Sequence, residues 1–536
     1  MRRILIAFFS ASVLLASCCG PKDGEYTFRI LSTNDVHGHF FDSLYTSDGK
    51  AGSLMSLAWY VDSVRVAAGP ENVVLIDVGD CLHGDNAAYY YNYVDTTSEH
   101  VYARMLEYME YDAWIPGNHD IETGHPVYDR ISGNLDVPIL AANALRTSDG
   151  KPYFREYVIL KRHGLKIAVI GFTNPNISNV YAPDLWEGMS FEPLFPDFTQ
   201  NVVDRVRDEE NPDVVIVAIH SGAGRGDGSQ LEQQGLDLFN SLEGVDFIIS
   251  AHDHIAAVYE DEGMCMFNTG NYCANLGCGT VTLTVKDGKV VAKKLSAELI
   301  KVDMNNVDKK MQEHFRPDYE AVKGFVTRKV GSLKADMNTR DALFGMSDYM
   351  NLLHTVSLEA SGAQISLAAP STASRIFSAG PLVYGDIMTL CSQDNQLDVV
   401  KMTGKEVNDY LEKSYGGWIN TMGGSSETLL NMRSLFMPAD LYSAGGLVYS
   451  VDVTRPAGSR ITIMSLSDGT PFDMSAEYDV AIGLSRALLN DYIEKNGEID
   501  PASIGDRSVV GFWSFIPEKD AKDAFSRDMA RFTRRR

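Results

Sequence analysis

Short polar clusters recur through the first half of the chain, and each combines histidine, aspartate or asparagine. Along the sequence they are Asn34-Asp35-Val36-His37-Gly38, Gly79-Asp80, Gly117-Asn118-His119-Asp120, His220-Ser221-Gly222 and His252-Asp253-His254. One such cluster is usually a turn or a helix cap. Five in succession, offering carboxylate, amide-oxygen and imidazole donors, instead predict a site for divalent metal ions.

The spacing within the clusters indicates how two ions would be held. Asp35 and His37 are two residues apart, so an extended segment would place both side chains on one side. His252 and His254 have the same spacing. Asp80, alone on its loop, can give one oxygen to each of two ions about 3.5–4 Å apart. Such a centre keeps net positive charge and suits a phosphate dianion, with Zn, Mn, Fe or Co as candidate metals.

The clusters follow short apolar runs that are typical of buried strands. Predicted strands cover residues 27–31, 73–78, 167–171, 214–219 and 247–250, and predicted helices cover residues 54–66, 99–108 and 231–242. In open α/β sheets, ligands bind beyond the carboxyl ends of the strands. We therefore expect the polar clusters to converge on one site in a layered α/β domain.

The rest of the chain divides into three further segments. Residues 1–17 read as a lipoprotein signal peptide, because Arg2 and Arg3 precede an apolar run and Cys18 stands at the expected cleavage and lipidation site. A plain secretory signal is the alternative. The metal-site domain is predicted over residues 26–301, a charged helical connector over 302–335 and a second domain over 336–536, with a long helix at residues 342–360.

Composition limits the partners and the compartment. The chain has 536 residues and a net charge of −25, which disfavours binding to nucleic acid polymers. The leader predicts a bacterial envelope protein, periplasmic or surface-exposed, that meets the membrane only through its lipid anchor. We infer no obligate protein partner. Cys265, Cys273 and Cys278 are close enough in sequence for one disulfide, or they are buried small side chains.

The full set of clusters resembles the ligand set of the calcineurin-like metallophosphatases, in the bacterial 5′-nucleotidase and UDP-sugar hydrolase branch. The resemblance implies a four-layer αββα metallophosphatase domain followed by a mixed α/β 5′-nucleotidase C-terminal domain. It assigns the ligands by position: to one ion Asp35, His37 and His254, to the other Asn118, His220 and His252, with Asp80 shared.

The same resemblance implies the catalytic residues. His119 is expected beside the scissile phosphate, oriented by an acid three residues on, which here is Glu122 where the nucleotidases usually carry Asp. Asp120, next to the histidine, is a further candidate. The implied reaction is in-line attack by a metal-bound hydroxide, with His119 stabilising the transition state or protonating the leaving oxygen.

The second domain matches the nucleotidase C-terminal domain through residues 380–386, Asn395 and residues 402–405, but its nucleoside site differs. Residues 370–375 read Pro-Ser-Thr-Ala-Ser-Arg where the family has Asn-x-Gly-Gly-Ile-Arg, and the family's Gly-Gly-Asp-Gly loop is absent around residues 484–486. Candidate substrate contacts are Arg375, which is otherwise a solvated arginine, and one aromatic wall from Tyr442 or Tyr449.

The leading prediction is a metal-dependent phosphatase that releases phosphate from nucleoside 5′-monophosphates or related small phosphoesters. One alternative gives the same two-metal centre cyclic nucleotides or nucleotide sugars as substrates. A second alternative is a non-catalytic surface binding protein on this scaffold, against which the intact ligand set argues.

Overall fold

The computed structural model describes residues 20–344, 347–392, 396–423, 427, 429–431 and 440–504. The predicted signal peptide, Cys18 and Asn395 lie outside the described residues. The chain divides into two compact units, one ending at Val322 and the other beginning at Lys323. Among the described residues, no helix combines the length and hydropathy needed to cross a bilayer.

The first unit contains most of the predicted strands and helices. Its strands are β1 (Gly24–Thr33), β2 (Val73–Asp77), β3 (Ala113–Trp114), β4 (Ala144–Arg146), β5 (Tyr157–Arg162), β6 (Leu165–Phe172), β7 (Met189–Phe191), β8 (Val214–Ile219), β9 (Phe247–Ile249), β10 (Ala257–Asp261), β11 (Met264–Asn268), β12 (Asn275–Lys286) and β13 (Lys289–Lys301). Its helices are α1 (Leu54–Ala68), α2 (Asn86–Tyr89), α3 (Val101–Tyr108), α4 (Asn118–Ile121), α5 (His125–Ser132), α6 (Ile177–Val180), α7 (Pro196–Glu210), α8 (Gly235–Phe239) and α9 (Lys309–His314), and α10 (Arg316–Val326) crosses into the second unit.

Two sheets pack face to face at the centre of this unit. The first has the order β13-β12-β1-β2-β3 and the second β10-β11-β9-β8-β6-β5. The core between them includes Phe28 and Ile76 from the first sheet and Val169 and Ile216 from the second. Helix α1 packs on the first sheet, and a second apolar cluster joins α7 and α8 to the second sheet. The predicted αββα layering is therefore confirmed.

The predicted central strands are present because their sequences are apolar throughout. Strand β8, Val-Val-Ile-Val-Ala-Ile, is buried at every position, as expected for a parallel strand covered on both faces. The helix predicted over residues 231–242 is shorter, covering only Gly235–Phe239. The residues expected to form its first turn instead hydrogen-bond to the loop after β8. Gly222 N donates to Glu232 O and Gly235 N donates to Gly222 O, both at 2.9 Å.

The second unit is a mixed α/β fold. Its strands are β14 (Lys329–Leu333), β15 (Met337–Asn338), β16 (Ile365–Ala368), β17 (Ile376–Phe377), β18 (Gly380–Val383), β19 (Asp398–Thr403), β20 (Ser443–Gly445), β21 (Leu447–Val451), β22 (Ile461–Leu466), β23 (Glu477–Ile482) and β24 (Glu498–Ile499). Its further helices are α11 (Asp348–Ser361), α12 (Tyr384–Leu390), α13 (Gly404–Trp418) and α14 (Arg486–Asn496). The largest sheet has the order β19-β23-β16-β20.

Two expectations for this region need correction. The segment 302–335 is not helical throughout, because it ends in β14, which pairs with β18 and β24. The helix predicted from residue 342 begins at Asp348, where the Ser347 side chain accepts a hydrogen bond from Met350 N and caps the first turn. A short 3₁₀ helix, Thr339–Phe344, precedes it.

Candidate metal centre

The loops after β1 and β2 are locked together at the end of the first sheet. Asp35 N donates to Gly79 O (2.8 Å) and His37 N donates to Asp80 O (2.9 Å). Gly79 has φ +87°, and a Cβ there would lie 2.3 Å from Gly117 N, so no larger residue fits this crossing. The loop contact delivers Asp35, His37 and Asp80 to one place.

The ligand residues adopt a backbone conformation that the sequence did not predict. Asp35 (φ 49°), His37 (49°), Asp80 (57°), His252 (76°) and His254 (60°) all have positive φ. Left-handed non-glycine residues are uncommon and tend to cluster at functional sites. The expectation of an extended segment at Asp35 and His37 is therefore wrong, although their side chains do converge.

The first ligand group joins Asp35, His37 and His254. The Nε2 atoms of His37 and His254 face each other at 2.9 Å, and His254 Nε2 lies 3.4 Å from Asp35 Oδ1. His37 Nδ1 donates to the carbonyl of His83 (3.2 Å), which leaves the lone pair of Nε2 directed into the group. Asn271, which the sequence argument missed, hydrogen-bonds His254 Nδ1 at 3.0 Å.

The second ligand group joins Asp80, His220 and His252. His220 Nδ1 donates to Val78 O (2.6 Å), so in the neutral ring Nε2 carries the lone pair; this atom lies 3.1 Å from Asp80 Oδ2. The other oxygen of Asp80 accepts from the backbone N–H of His119 (2.8 Å). The tautomer of this buried histidine is the one that metal coordination requires.

Unpaired buried atoms test whether the residues fit metal ions. Asp35 Oδ1, Asn118 Oδ1, His220 Nε2 and His252 Nδ1 are buried and have no hydrogen-bond partner. Each atom belongs to a predicted ligand, and buried polar atoms without partners are costly. The donor set therefore fits divalent ions. Such ions would polarise phosphoryl oxygens and lower the pKa of water.

Electrostatics within the groups reflect close packing of histidine and carboxylate. Burial lowers the pKa of His37 to about 4, against the opposing effect of Asp80 and Asp35. For His220, burial also disfavours the charged form, but the Asp80 carboxylate outweighs it and raises the pKa to about 10. Burial would raise the pKa of Asp80, yet the neighbouring histidines hold it well below its usual range. Bound divalent ions would lower the histidine pKa values, since like charges repel.

His119 stands beside the two groups with its predicted partner. Its Nδ1 is hydrogen-bonded to Glu122 Oε2, so the longer glutamate side chain reaches it. Burial opposes protonation of His119, but Asp80 and Glu122 raise its pKa to about 9. A histidine that holds its proton beside a phosphate site can act as an acid toward the leaving oxygen.

Asp120 has a different role from the one expected. Its carboxylate accepts the backbone N–H groups of Gly117, Asp80, Cys81 and Leu82 at 2.8–2.9 Å. The side chain is fully buried, and both of its oxygens are occupied by these backbone donors. We therefore correct the catalytic assignment of Asp120: it holds the loop that carries Asp80.

A third group of donors, His83, His119 and Glu122, also lies close together. The two imidazole rings are stacked, with 14° between their planes. Ring-nitrogen lone pairs lie in the ring planes, so nearly parallel stacked rings direct them side by side, an arrangement poorly suited to chelation of one ion. The contact between His83 and His119 could not be predicted from the sequence, because the spacing of His83 from Asp80 does not indicate that the two rings stack.

The predicted substrate contacts lie in the second unit. Arg375 is exposed, and Tyr442 is half-buried in the lining of a cavity of about 50 Å³ with Pro370 and Cys391. Tyr449 is only 1% exposed, and its hydroxyl is hydrogen-bonded to that of Tyr415 (2.8 Å). The assignment of Tyr449 as a base-stacking wall is therefore wrong, because both faces of its ring are packed in the core.

The five cysteines among the described residues are all buried, and no disulfide joins any two of them. They are Cys81, Cys265, Cys273, Cys278 and Cys391. Of the two readings of the cysteine cluster, the structure favours buried small side chains.

Family comparisons agree with this geometry. Residues 28–256 match the calcineurin-like phosphoesterase family, and residues 327–497 match the 5′-nucleotidase C-terminal domain. The chain belongs to the two-domain calcineurin-like phosphoesterases of the 5′-nucleotidase type. This phosphoesterase is accordingly a metal-dependent hydrolase, and all seven predicted ligands lie in or next to the matched first domain.

Individual relatives are similar over nearly the whole phosphoesterase. A 5′-nucleotidase of Vibrio cholerae is 24% identical, over 93% of this chain and 97% of its own. The trifunctional nucleotide phosphoesterase YfkN of Bacillus subtilis is 25% identical over 90% of this chain, which spans only 36% of that longer protein. Among solved structures, a Staphylococcus aureus protein assigned as a 5′-nucleotidase superposes with a TM-score of 0.74 at 18% identity, covering 91% of this chain and 99% of its own. That likeness establishes the fold.

Proposed function

We propose that this phosphoesterase uses two divalent metal ions to release inorganic phosphate from nucleoside 5′-monophosphates. The observation that carries the proposal is the convergence of two ligand groups, Asp35/His37/His254 and Asp80/His220/His252, beside the hydrogen-bonded pair His119–Glu122. Two ions close together, with an acid alongside, match the requirements of phosphoester hydrolysis.

The chain's own side chains have distinct parts in this reaction. Asp35, Asp80, Asn118 and the four ligand histidines would hold the ions, with Asp80 between the two groups. His119, kept protonated by the carboxylates of Asp80 and Glu122, would donate its proton to the oxygen that leaves with the nucleoside.

The preference for nucleotides rests on the relatives and on the second domain. The Vibrio cholerae relative named as a 5′-nucleotidase aligns with 93% of this chain. Within the second unit, Tyr442 is the remaining aromatic candidate for contact with a base, and the exposed guanidinium of Arg375 is a candidate for phosphate contact. Zn, Mn, Fe and Co remain the candidate metals, since the donor set accepts each of them.

We further propose that the mature protein is lipid-anchored at Cys18 on the outside of the cytoplasmic compartment. The proposal is supported by the leader sequence, in which two arginines and a short apolar run precede the cysteine. Radiolabelled palmitate should be incorporated into the wild-type chain in a bacterial host, and not into Cys18→Ala. Equal labelling of both chains would reject the anchor.

Substrate choice is tested with metal-loaded protein and a panel of AMP, UDP-glucose, 2′,3′-cyclic AMP and glucose 6-phosphate. Hydrolysis is followed by chromatography of the products, because UDP-glucose and 2′,3′-cyclic AMP are cleaved to phosphate esters and not to free phosphate. We expect AMP to be consumed fastest, giving adenosine and inorganic phosphate. Asp80→Ala and His119→Ala should each reduce the rate at least 100-fold, because one loses a ligand and the other the acid. His163 is an exposed histidine that is hydrogen-bonded to Asn72. His163→Ala is therefore the matched control and should retain activity. No preference for AMP, or full activity of Asp80→Ala, would reject the proposal.

A further inference from the structure

The metal ligand Asn118 and the acid His119 share a neighbour that no sequence motif marks. Tyr181 comes from the segment after β6, more than sixty residues along the chain. Its hydroxyl accepts a hydrogen bond from Asn118 Nδ2 (2.9 Å) and lies 3.4 Å from His119 Nδ1. One phenolic oxygen therefore contacts two adjacent residues that serve different parts of the proposed site.

The contact with Asn118 engages the nitrogen end of its amide. With Nδ2 donating to Tyr181, the opposite atom, Oδ1, is buried and has no protein partner. Only the oxygen of an amide is a ligand for a divalent ion, since the NH₂ group has no free lone pair directed outward. By accepting from Nδ2, the tyrosine hydroxyl stabilises the amide orientation that coordination needs.

The contact with His119 falls on the edge of the ring that also meets Glu122. Nδ1 is hydrogen-bonded to the glutamate, and the ring of Tyr181 meets the imidazole edge-on, with centroids 6.3 Å apart. A hydroxyl at this edge limits rotation of the imidazole about its side-chain bonds. It therefore helps to keep Nε2, the atom on the far side, in a constant position.

The tyrosine is itself held firmly at its backbone. Its N–H donates to Ile177 O (3.0 Å) at the end of α6, and its carbonyl accepts from Trp186 Nε1 (3.2 Å). The ring packs against a small apolar cluster that includes Ile121 and Tyr128. The hydroxyl position is thus determined by a rigid neighbourhood, as an outer-shell hydrogen bond to a metal ligand requires.

We propose that Tyr181 is a positioning residue that orients Asn118 for metal binding and His119 for proton transfer. The inference rests on the proposed two-metal function, because it assigns Asn118 as a ligand. It predicts that loss of one hydroxyl oxygen weakens one metal site and slows the chemical step, while substrate binding is retained.

The test is Tyr181→Phe in the full chain, with Tyr128→Phe as the matched control. Tyr128 belongs to the same apolar cluster, and its hydroxyl donates to a backbone carbonyl, Leu185 O (2.9 Å), outside the site. Metal-free proteins are titrated with Mn²⁺ by calorimetry. We expect the wild type and Tyr128→Phe to bind two ions alike, and Tyr181→Phe to bind one ion normally and the other about 10–100-fold more weakly.

Kinetics provide a second measurement that a merely structural role would not change. In saturating Mn²⁺, Tyr181→Phe should show a lower kcat for AMP with an unchanged KM, and a shifted alkaline limb in its pH–rate profile. Asn118→Ala should weaken the same ion site. Two ions bound with wild-type affinity, or equal losses in Tyr128→Phe, would overturn the inference. If the wild type itself bound no Mn²⁺, the proposed function would fail first, so the two failures are distinguishable.

Discussion

The imidazole rings of His83 and His119 are stacked, with 4.5 Å between their centroids and 14° between their planes. The backbone carbonyl of His83 also accepts a hydrogen bond from Nδ1 of the ligand His37. One loop residue thus contacts the proposed acid through its side chain and a candidate metal ligand through its main chain. The two contacts can be separated by mutation, because only the ring contact depends on the side chain.

Replacing His83 removes the contacts of its ring, with His119 and with His37, and keeps the main-chain contact. Aromatic pairs contribute roughly 0.5–1.5 kcal/mol, so His83→Ala should lower kcat about 2–10-fold while metal binding is retained. His83→Phe keeps a flat ring without nitrogen atoms and should restore most of the rate. Steady-state hydrolysis of AMP measures both variants. A rate in His83→Phe as low as in His83→Ala would show that a ring nitrogen, not stacking, is needed.

Glu122→Gln tests how the pKa of His119 is maintained. The carboxylate of Glu122 contributes to raising that pKa, so its removal should let His119 lose its proton at lower pH. With His119 as the proposed acid, the alkaline limb of the kcat profile should move to lower pH, and kcat should fall about 10–100-fold.

A similar histidine–carboxylate pair elsewhere supplies the control for Glu122→Gln. His125 Nδ1 lies 2.9 Å from Asp129 Oδ2 on the exposed side of α5. Asp129→Asn should leave the pH–rate profile unchanged. An identical profile in Glu122→Gln and the wild type would contradict the role given to Glu122.

Asp120→Asn tests the loop-holding role that replaces the expected catalytic one. An amide in this position keeps only one acceptor oxygen for the four backbone N–H groups, and buried donors without partners cost about 1–3 kcal/mol each. The free energy of unfolding in urea should therefore fall by about 2–4 kcal/mol. Asp149→Asn, at an exposed turn, should leave it almost unchanged. Unchanged stability in Asp120→Asn would contradict the assignment.

The buried carboxyl group of Asp77, beneath the candidate metal centre, should make the stability of the fold depend on pH. Burial raises the pKa of Asp77 to about 7, against hydrogen bonds from Thr33, Gly79 and Cys81. The folded-state pKa thus exceeds the unfolded one, near 4. The contribution of protonated Asp77 to the free energy of unfolding is therefore complete below about pH 4, and it is lost as the pH rises through about 7.

The difference in unfolding free energy between wild type and Asp77→Asn isolates this effect. Asparagine does not titrate, so the wild type should lose stability relative to the variant between about pH 4 and pH 8. Urea unfolding of metal-free protein across this range measures the difference. Parallel pH curves would mean that Asp77 has an ordinary pKa in the folded chain.

Substrate recognition by Tyr442 can be tested with the buried Tyr449 as the matched control. Tyr442→Ala should raise the KM for AMP several-fold with little change in kcat, since stacking on a base is worth about 1–3 kcal/mol. Tyr449→Phe should leave KM unchanged and lower stability by about 1 kcal/mol, because its hydroxyl bonds to Tyr415 in the core. Equal KM values in wild type and Tyr442→Ala would show that Tyr442 does not contact the base of AMP.

Much of the fold and the ligand set could be predicted from local patterns. Strands such as β2 and β8 are apolar at nearly every position, so burial on both faces could be inferred without tertiary contacts. The ligand clusters could be recognised because several polar clusters follow such strands in succession, and strand ends converge at one edge of a sheet. Residue type and order were sufficient to predict that the two candidate ligand groups lie together in the fold.

Other features depended on contacts between residues distant in sequence. Asp120 and Glu122 are both acids near His119, and only the folded loop decides that one accepts backbone N–H groups while the other meets the imidazole. Tyr442 and Tyr449 are both aromatic, but only Tyr449, whose hydroxyl is hydrogen-bonded to Tyr415, is fully buried in the core.

The sequence by itself therefore determined which elements form and which residue types can bind metal, since both follow from local periodicity and donor chemistry. The tertiary structure decided the backbone conformation at Asp35 and the partners of His119, among them Tyr181 and His83. These depend on side-chain directions and hydrogen bonds between separate loops, which no spacing along the chain encodes.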